Sequence, residues 1–307
     1  MPKDSYPGPL PTLSPAEVQL VPRLHADVEA FATRIGVRSH ETHPERLVDA
    51  DRFVRSRFGE LGYDVRVQPY RAEGRTVNNL DVTVPGSDLA NEIVIVGAHF
   101  DTAEITPGAD DNASGMAVLF ALAERFRNAH PRRTIRFVAF VNEEPPYFWQ
   151  SEMGSLVYAK GCRSRHENIV AMLSLECLGY FSDTAGSQQY PPPFNLVYPD
   201  RGNFIAFVGN LSSRSLTRHV VDLFRTHAQF PSEGAVLPNW VPGAGWSDHW
   251  SFWQVGYDAV MVTDTAPFRN QNYHKVTDTP DTLDFARMAR VTTGLERVVT
   301  RLANEAR

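Results

Sequence analysis

Two stretches of this chain, EIVIVGAH at Glu92–His99 and TIRFVAFVN at Thr134–Asn142, are continuous apolar runs rich in β-branched residues. A strand with one wet face alternates apolar and polar side chains, so unbroken runs of this length read as strands buried on both faces. Between them, Ser114–Asn128 carries its apolar residues at helical spacing. Strand, helix and strand then make one βαβ unit with a parallel pair, because parallel neighbours need a crossover connection.

The rest of the chain extends this pattern. Apolar residues recur at helical spacing from Pro15 to about Ile35 (Val18, Leu20, Val21, Leu24, Val28, Phe31), behind Ser14 as N-cap. A second helix is predicted over Pro44–Leu61. Asp64–Tyr70 and Asn78–Val84 alternate, which suits an outer part of the sheet with one face covered. Further strands are predicted at Ala171–Leu175, Phe204–Val208 and Asp258–Val262, with helices near Ser155–Lys160, at Ser213–Thr226 and at Phe285–Ala303. The expected fold is α/β: a single domain over residues 15–307 with a central mixed, mostly parallel twisted sheet flanked by helices. A Pro-rich extended arm, residues 1–14, precedes it. Ser182–Asn203 and Pro231–Gly245 read as long loops, which in a compact domain are usually functional.

Composition removes several classes of function. With 30 Lys and Arg against 36 Asp and Glu, the formal charge of −6 and the lack of a basic cluster argue against a nucleic-acid partner. No run approaches the roughly 18 apolar residues of a membrane helix. The start, MPKDSYPGPLPTLSP, lacks the apolar core of a secretory signal, so the chain as written is cytoplasmic, or secreted or periplasmic if a signal was removed. Cys162 and Cys177 could form one bridge but are expected to be free, buried, inert thiols. Any metal must therefore be held by His and carboxylates.

Those groups fall in a pattern. His99 and Asp101 end or follow one predicted strand, Glu143 and Glu144 follow the next, and Glu176 follows a third, all at strand C-termini, where ligands of open α/β sheets bind. Asp110 and Asp111, in GADDNASG just before a helix, can reach the same edge, and His274 follows a later strand and loop. Carboxylates so gathered repel one another unless cations neutralise them, and imidazole with carboxylate suits zinc. A carboxylate between two metals can bind one with each oxygen, at the spacing of about 3.5–4 Å of two-metal hydrolases. A further, unligated carboxylate is then needed to move the proton of the attacking water.

H-F-D at His99–Asp101, GADDNASG, NEE at Asn142–Glu144, SLE ending at Glu176, SDH at Ser247–His249 and YH at Tyr273–His274 occur in this order. From about Asn79 to Leu283 the chain resembles the co-catalytic zinc aminopeptidases of the bacterial leucyl type, relatives of glutamate carboxypeptidase and glutaminyl cyclase. The resemblance implies a zinc-exopeptidase fold and two zinc ions per chain. His99 and Glu176 would bind one, Glu144 and His274 the other, and Asp111 would bridge them. It further implies that Glu143 is the general base, that Asp101 holds the ring of His99 through its second nitrogen, and that Tyr273 hydrogen-bonds the oxyanion. A cis peptide between Asp111 and Asn112 is also implied. The activity expected is removal of an N-terminal residue from a peptide or small aminoacyl substrate. Alternatives are cyclase-type acyl transfer, carboxypeptidase or dipeptidase action, and a binding module that has lost ligands, although no ligand position is lost here.

Two departures stand out: Glu176 replaces the aspartate of the best-known aminopeptidases, and PPYFWQSEMGS after Glu144 is longer than the usual link. Its aromatics Tyr147, Phe148 and Trp149 are expected to wall the substrate pocket. Asp110 is expected to cap a helix or close a loop, and Ser247, Asp248 and His249 to support the site without touching substrate. Tyr180, Phe181 and Tyr190 read as loop packing, and His40, His43, His130 and His227 as solvated.

Overall fold

A computed structural model describes residues 1–305. Ser14 and Glu17 cap the first helix reciprocally, each side chain accepting the other's backbone N–H, and α1 (Pro15–Glu29) follows, continuing as a wider π turn to Ile35. After α2 (Pro44–Glu60), strands β1 (Arg66–Ala72) and β2 (Arg75–Val84) form an antiparallel hairpin. The βαβ unit is β3 (Leu89–His99), α3 (Gly115–Phe126) and β4 (Arg133–Phe140), with β3 and β4 parallel. Then come α4 (Gly154–Ser164), β5 (Asn168–Glu176), β6 (Ile205–Gly209) and α5 (Arg214–His227). The chain ends with β7 (Ser232–Val236), α6 (His249–Gln254), β8 (Ala259–Thr263) and α7 (Phe285–Asn304).

The eight strands form one sheet in the order β1-β2-β4-β3-β5-β8-β6-β7. Its centre, β4-β3-β5-β8, is parallel, whereas β1, β2 and β6 meet their inner neighbours antiparallel. The expected mixed, mostly parallel sheet is therefore present. Successive residues of β3 divide between its faces: Val94, Val96 and Ala98 join the large core with α1, α3, α5 and α7, and Ile93 and Ile95 join a second core with α4 and α6. Both faces are covered, which is why β3 needs no polar alternation. In the large core, Phe120 meets the rings of Phe31, Phe53 and Phe58. Burying one such side chain stabilises the fold by about 1.5–3 kcal/mol.

Two elements differ from expectation. Residues 232–236 form a parallel edge strand beside β6 inside a segment that reads as loop, because SEGAV is short, contains Gly and is only half buried. The one-and-a-half-turn helix α6 likewise starts in the SDH motif without enough length to show a period. Residues 1–14 carry no helix or strand. Arg225 of α5 donates to the Lys3 carbonyl, and the Ser232 N–H donates to Ser5, so the arm lies along α5 and β7. Among the described residues no helix is long and apolar enough to cross a membrane.

The site follows from the strand order. The chain leaves β3 toward β4 on one side and later returns to β5 on its other side, so the loops after β3, β4 and β5 diverge at one point of the sheet edge.

Candidate active site

His99 is the last residue of β3 and Glu176 the last of β5, while Glu143 and Glu144 follow β4 by three and four residues. The exits of β4 and β5 are each bent by a non-glycine residue in the left-handed region, Asn142 (φ 59°) before the glutamates and Cys177 (φ 52°) after Glu176. Such conformations persist where surroundings over-determine them. Asp111 lies in the irregular turn Ala109–Ser114, and its peptide bond to Asn112 is cis.

Three polar anchors hold that turn. Asp278 accepts the N–H groups of Asp110 (2.9 Å) and Asp111 (3.2 Å). Asn112 donates to the Leu175 carbonyl at 2.8 Å and accepts from the Cys177 N–H at 3.1 Å, tying the turn to the end of β5. Arg38, fully buried, donates to the carbonyls of Phe100 (2.5 Å), Pro107 (2.6 Å) and Gly108 (3.0 Å), which brackets the loop between His99 and Asp111. Asp110 closes the loop, as expected, by accepting from the Gly179 N–H and the Asn270 side chain. Sequence reasoning named Asn112 only for its peptide bond and missed Arg38, Asn270 and Asp278; an isolated Arg some 60 residues from its partners carries no periodic signal.

The structure brings the five proposed ligands together as two trios. His99 Nε2 lies 3.3 Å from Asp111 Oδ1 and 3.3 Å from Glu176 Oε2. His274 Nε2 lies 3.0 Å from Asp111 Oδ2 and 3.3 Å from Glu144 Oε1. Asp111 thus gives one oxygen to each trio, and within either trio the ligand atoms lie within 4.8 Å of one another. Glu143 Oε2 stands 3.9 Å from His99 Nε2, beside the trios and outside both. The Asp101 carboxylate approaches His99 Nδ1 at 3.6 Å and accepts the backbone N–H groups of Glu143 (3.1 Å) and Glu144 (3.0 Å). It therefore holds the backbone of the two glutamates and stands beside the imidazole without a hydrogen bond to it.

The electrostatics are those of a cluster built around cations. Burial opposes charge on His99, yet the surrounding Glu176, Glu143, Asp101 and Asp111 push its pKa well above the ordinary value. Burial likewise works against a charged His274, but its contacts with Asp111 and Glu144 push it up to about 11. Burial, with the repulsion of neighbouring carboxylates, pushes Glu143 well up and Glu144 up to about 7. Without cations beside them, these buried acids would have to keep protons to limit their mutual repulsion. His99 Nε2, Asp111 Oδ1 and Glu144 Oε1 are buried without hydrogen-bond partners although they converge, which is the arrangement a metal ion satisfies. His–carboxylate donors in two trios joined by a shared Asp fit two zinc ions.

The longer arm of Glu176 is braced: Ser247 Oγ donates to its Oε2 at 2.6 Å and pairs with Ser174. His249 points away, with Nε2 at 2.8 Å from the Ala244 carbonyl, and buried Asp248 has a pKa raised to about 7 by burial. Cys162 and Cys177 are free and buried.

Three expectations need correction. His40 is buried, with Nδ1 3.2 Å from the Asn142 side-chain oxygen and its ring against Tyr147. Tyr147, Phe148 and Trp149 do not line the cleft next to Glu176 and Tyr273: the Tyr147 hydroxyl donates to Glu41, and Phe148, Trp149 and Trp250 stack upon one another elsewhere. That cleft, of about 840 Å³ measured to its open mouth, is walled by residues from 188–208 and 233–246 together with 261–268. Tyr190, read as loop packing, lines it while also stacking on Tyr198. Tyr273 lines the cleft and stacks on His274, ring centres 3.9 Å apart.

Comparisons with known proteins bear on the family and the fold. The chain is 35% identical over 299 residues to the uncharacterized protein YfbL of Escherichia coli, covering 91% of this chain and 89% of YfbL. Fungal proteins named as probable zinc metalloproteases or leucine aminopeptidases are longer, and the chain spans about half their length. Among solved structures, the Bacillus subtilis zinc aminopeptidase BSAP superposes with a TM-score of 0.72 at 15% identity, covering 93% of this chain and 95% of BSAP. The glutaminyl cyclase of Bacteroides thetaiotaomicron superposes with 0.68 at 15% identity, over 93% of this chain and 98% of the cyclase, so the shared fold alone does not separate the two activities. The sequence pattern described as Peptidase family M28 matches residues 79–299, and this chain belongs to that family.

Proposed function

We propose that the chain removes the N-terminal residue of a peptide at a two-zinc centre held by His99 and Glu176, by Glu144 and His274, and by Asp111 between them. The observation that carries this reading is the pair of trios sharing Asp111, with converging polar atoms that have no partner in the protein. The names of the fungal relatives and of BSAP support zinc and aminopeptidase action. Zinc supplies a Lewis acid for the scissile carbonyl and lowers the pKa of water.

The chain's own residues do the rest. Glu143, outside the trios but within 3.9 Å of His99 Nε2, takes the proton of the attacking water and hands it to the leaving amine. Tyr273, stacked on His274 at the head of the cleft, donates its hydroxyl to the oxyanion, and burial keeps that hydroxyl protonated by raising its pKa well above the ordinary value. Asp101 fixes both glutamates through their backbone N–H groups.

Carboxypeptidase or dipeptidase action is disfavoured because among the described residues no Lys or Arg lines the cleft to receive a substrate carboxylate. A binding module is disfavoured because every ligand position is filled. The test is metal content together with cleavage of a peptide panel by zinc-loaded protein. Two zinc ions per chain, chelator-sensitive release of the first residue and loss of turnover on N-acetylation are expected. One metal or none, or equal rates on free and acetylated peptides, would overturn the reading. Loss of ammonia from an N-terminal glutamine peptide without hydrolysis would transfer the protein to the cyclases.

A further inference from the structure

Glu143 stands beside the two trios, and the direction of its carboxylate depends on the backbone that carries it. Three consecutive residues at the exit of β4 are each met by a side chain from elsewhere in the chain. The Val141 N–H donates to Asn79 Oδ1 on β2 at 3.2 Å, and the Glu143 N–H donates to Asp101 at 3.1 Å. Between them lies Asn142, with φ at 59°, and His40 Nδ1 stands 3.2 Å from its side-chain oxygen. A non-glycine residue keeps such a conformation only where its surroundings hold it, so the course of the chain into Glu143 rests on what holds Asn142.

The contact with His40 has a defined sense. An amide oxygen only accepts, so Nδ1 carries the imidazole proton and donates it. His40 Nε2 and Asn142 Nδ2 are both buried without a hydrogen-bond partner, so this one bond commits the two side chains to each other. His40 is also a firm support. Its carbonyl accepts from Arg75 at 2.8 Å, and its ring packs on Tyr147 with centres 4.8 Å apart. The Tyr147 hydroxyl donates to Glu41, the next residue, at 2.7 Å. Two residues earlier, the Arg38 N–H donates to Thr102 Oγ1 at 3.1 Å, and its guanidinium grips the carbonyls of Phe100, Pro107 and Gly108. His40 belongs to neither trio and lines no part of the cleft.

On the reading that Glu143 is the general base, we infer that His40 is a positioning residue for it. Nδ1–H holds the Asn142 side chain, Asn142 holds the left-handed exit of β4, and that exit aims Glu143 at the attacking water. His40 itself touches neither metal nor substrate.

The experiment separates the hydrogen bond from the ring. His40→Phe keeps a ring against Tyr147 and has no donor, whereas His40→Asn keeps an N–H near the place of Nδ1 and has no ring. With zinc-loaded protein and a peptide substrate, His40→Phe should lower kcat by about 10- to 100-fold, since a misplacement of about 1 Å costs up to that much. KM and metal content should not change. His40→Asn should retain most of the turnover while melting at a lower temperature. In the Glu143→Gln background His40→Phe should cost nothing further, because losses routed through one group do not add. Asn142→Gly accepts the left-handed conformation but lacks the acceptor, and its loss of kcat serves if His40→Phe does not fold.

Unchanged kcat in His40→Phe, or His40→Asn as the slower of the two, would make His40 a packing residue. So would an equal loss from His40→Phe in the wild-type and Glu143→Gln backgrounds. Each of these results overturns the inference and leaves the peptidase reading standing. If wild type does not turn over, or Glu143→Gln turns over fully, the general-base reading falls instead. The hold on Asn142 is then decided by NMR of protein carrying ¹⁵N-histidine. A proton on His40 Nδ1 that exchanges slowly with solvent, and quickly in Asn142→Gly, supports it; a proton on Nε2 alone overturns it.

Discussion

At the sheet edge, His99, Asp111 and Glu144 aim bare polar atoms into a shared space, whereas along the cleft Tyr190, Tyr198 and Gln188 turn theirs into the protein. The first is buried and the second only half-buried, and they meet at Glu176 and Tyr273. The difference lies in what holds them. The first is built at the ends of β3 and β5 and in a turn pinned by Asp278 and Arg38, so its geometry follows the sheet. The second hangs largely on two long connections and can be reshaped without moving a ligand. Chemistry and selectivity are thereby placed on supports of unequal rigidity.

Variants at the two regions should therefore fail in different ways. The largest effect is expected from Glu143→Gln, which keeps shape but cannot accept a proton: turnover should fall by about 10²- to 10⁴-fold with both metals retained. Its neighbour Glu144→Gln should instead lose metal first and regain part of its activity in excess zinc. Elemental analysis beside turnover for the pair checks this, and the reverse pattern would exchange their roles. Tyr273→Phe sharpens the boundary between the regions. As an oxyanion donor its loss should lower kcat by about 10²- to 10³-fold with KM little changed. As cleft wall alone it would change KM and leave kcat intact. A smaller effect is expected from Asp101→Asn, where zinc affinity measured by competition with a chelator should weaken by about 10- to 100-fold, the range for partners that orient metal ligands. An unchanged affinity would mean that the backbone of Glu143 and Glu144 needs no such support.

The central sheet was legible because a buried strand writes an unbroken apolar run, and its end marks where a side chain leaves the core. His99 and Glu176 could be located in this way, and Asp111 by its place in GADDNASG before α3. The cleft was not legible. Its wall is assembled from residues far apart in sequence, such as Tyr190, Ala206 and Met261, and their alternation shows which face of a strand they occupy but not what lies opposite. The aromatic cluster after Glu144 misled for the same reason: Trp149 satisfies its indole on the Gly245 carbonyl and stacks on Trp250, a partner no local pattern announces. His40 gave no sign of burial because its contacts, Asn142 and Tyr147, come from the loop after β4.

Asp101 faces the imidazole of His99 at 3.6 Å and grips the backbone of Glu143 and Glu144 with its two oxygens. Three groups from two strands thus share a single reference point. A shift of that carboxylate would carry both glutamate N–H groups with it, so their mutual spacing is set by one side chain. The loop beyond Glu144 lies outside this shared anchor, which ends at the Glu144 N–H.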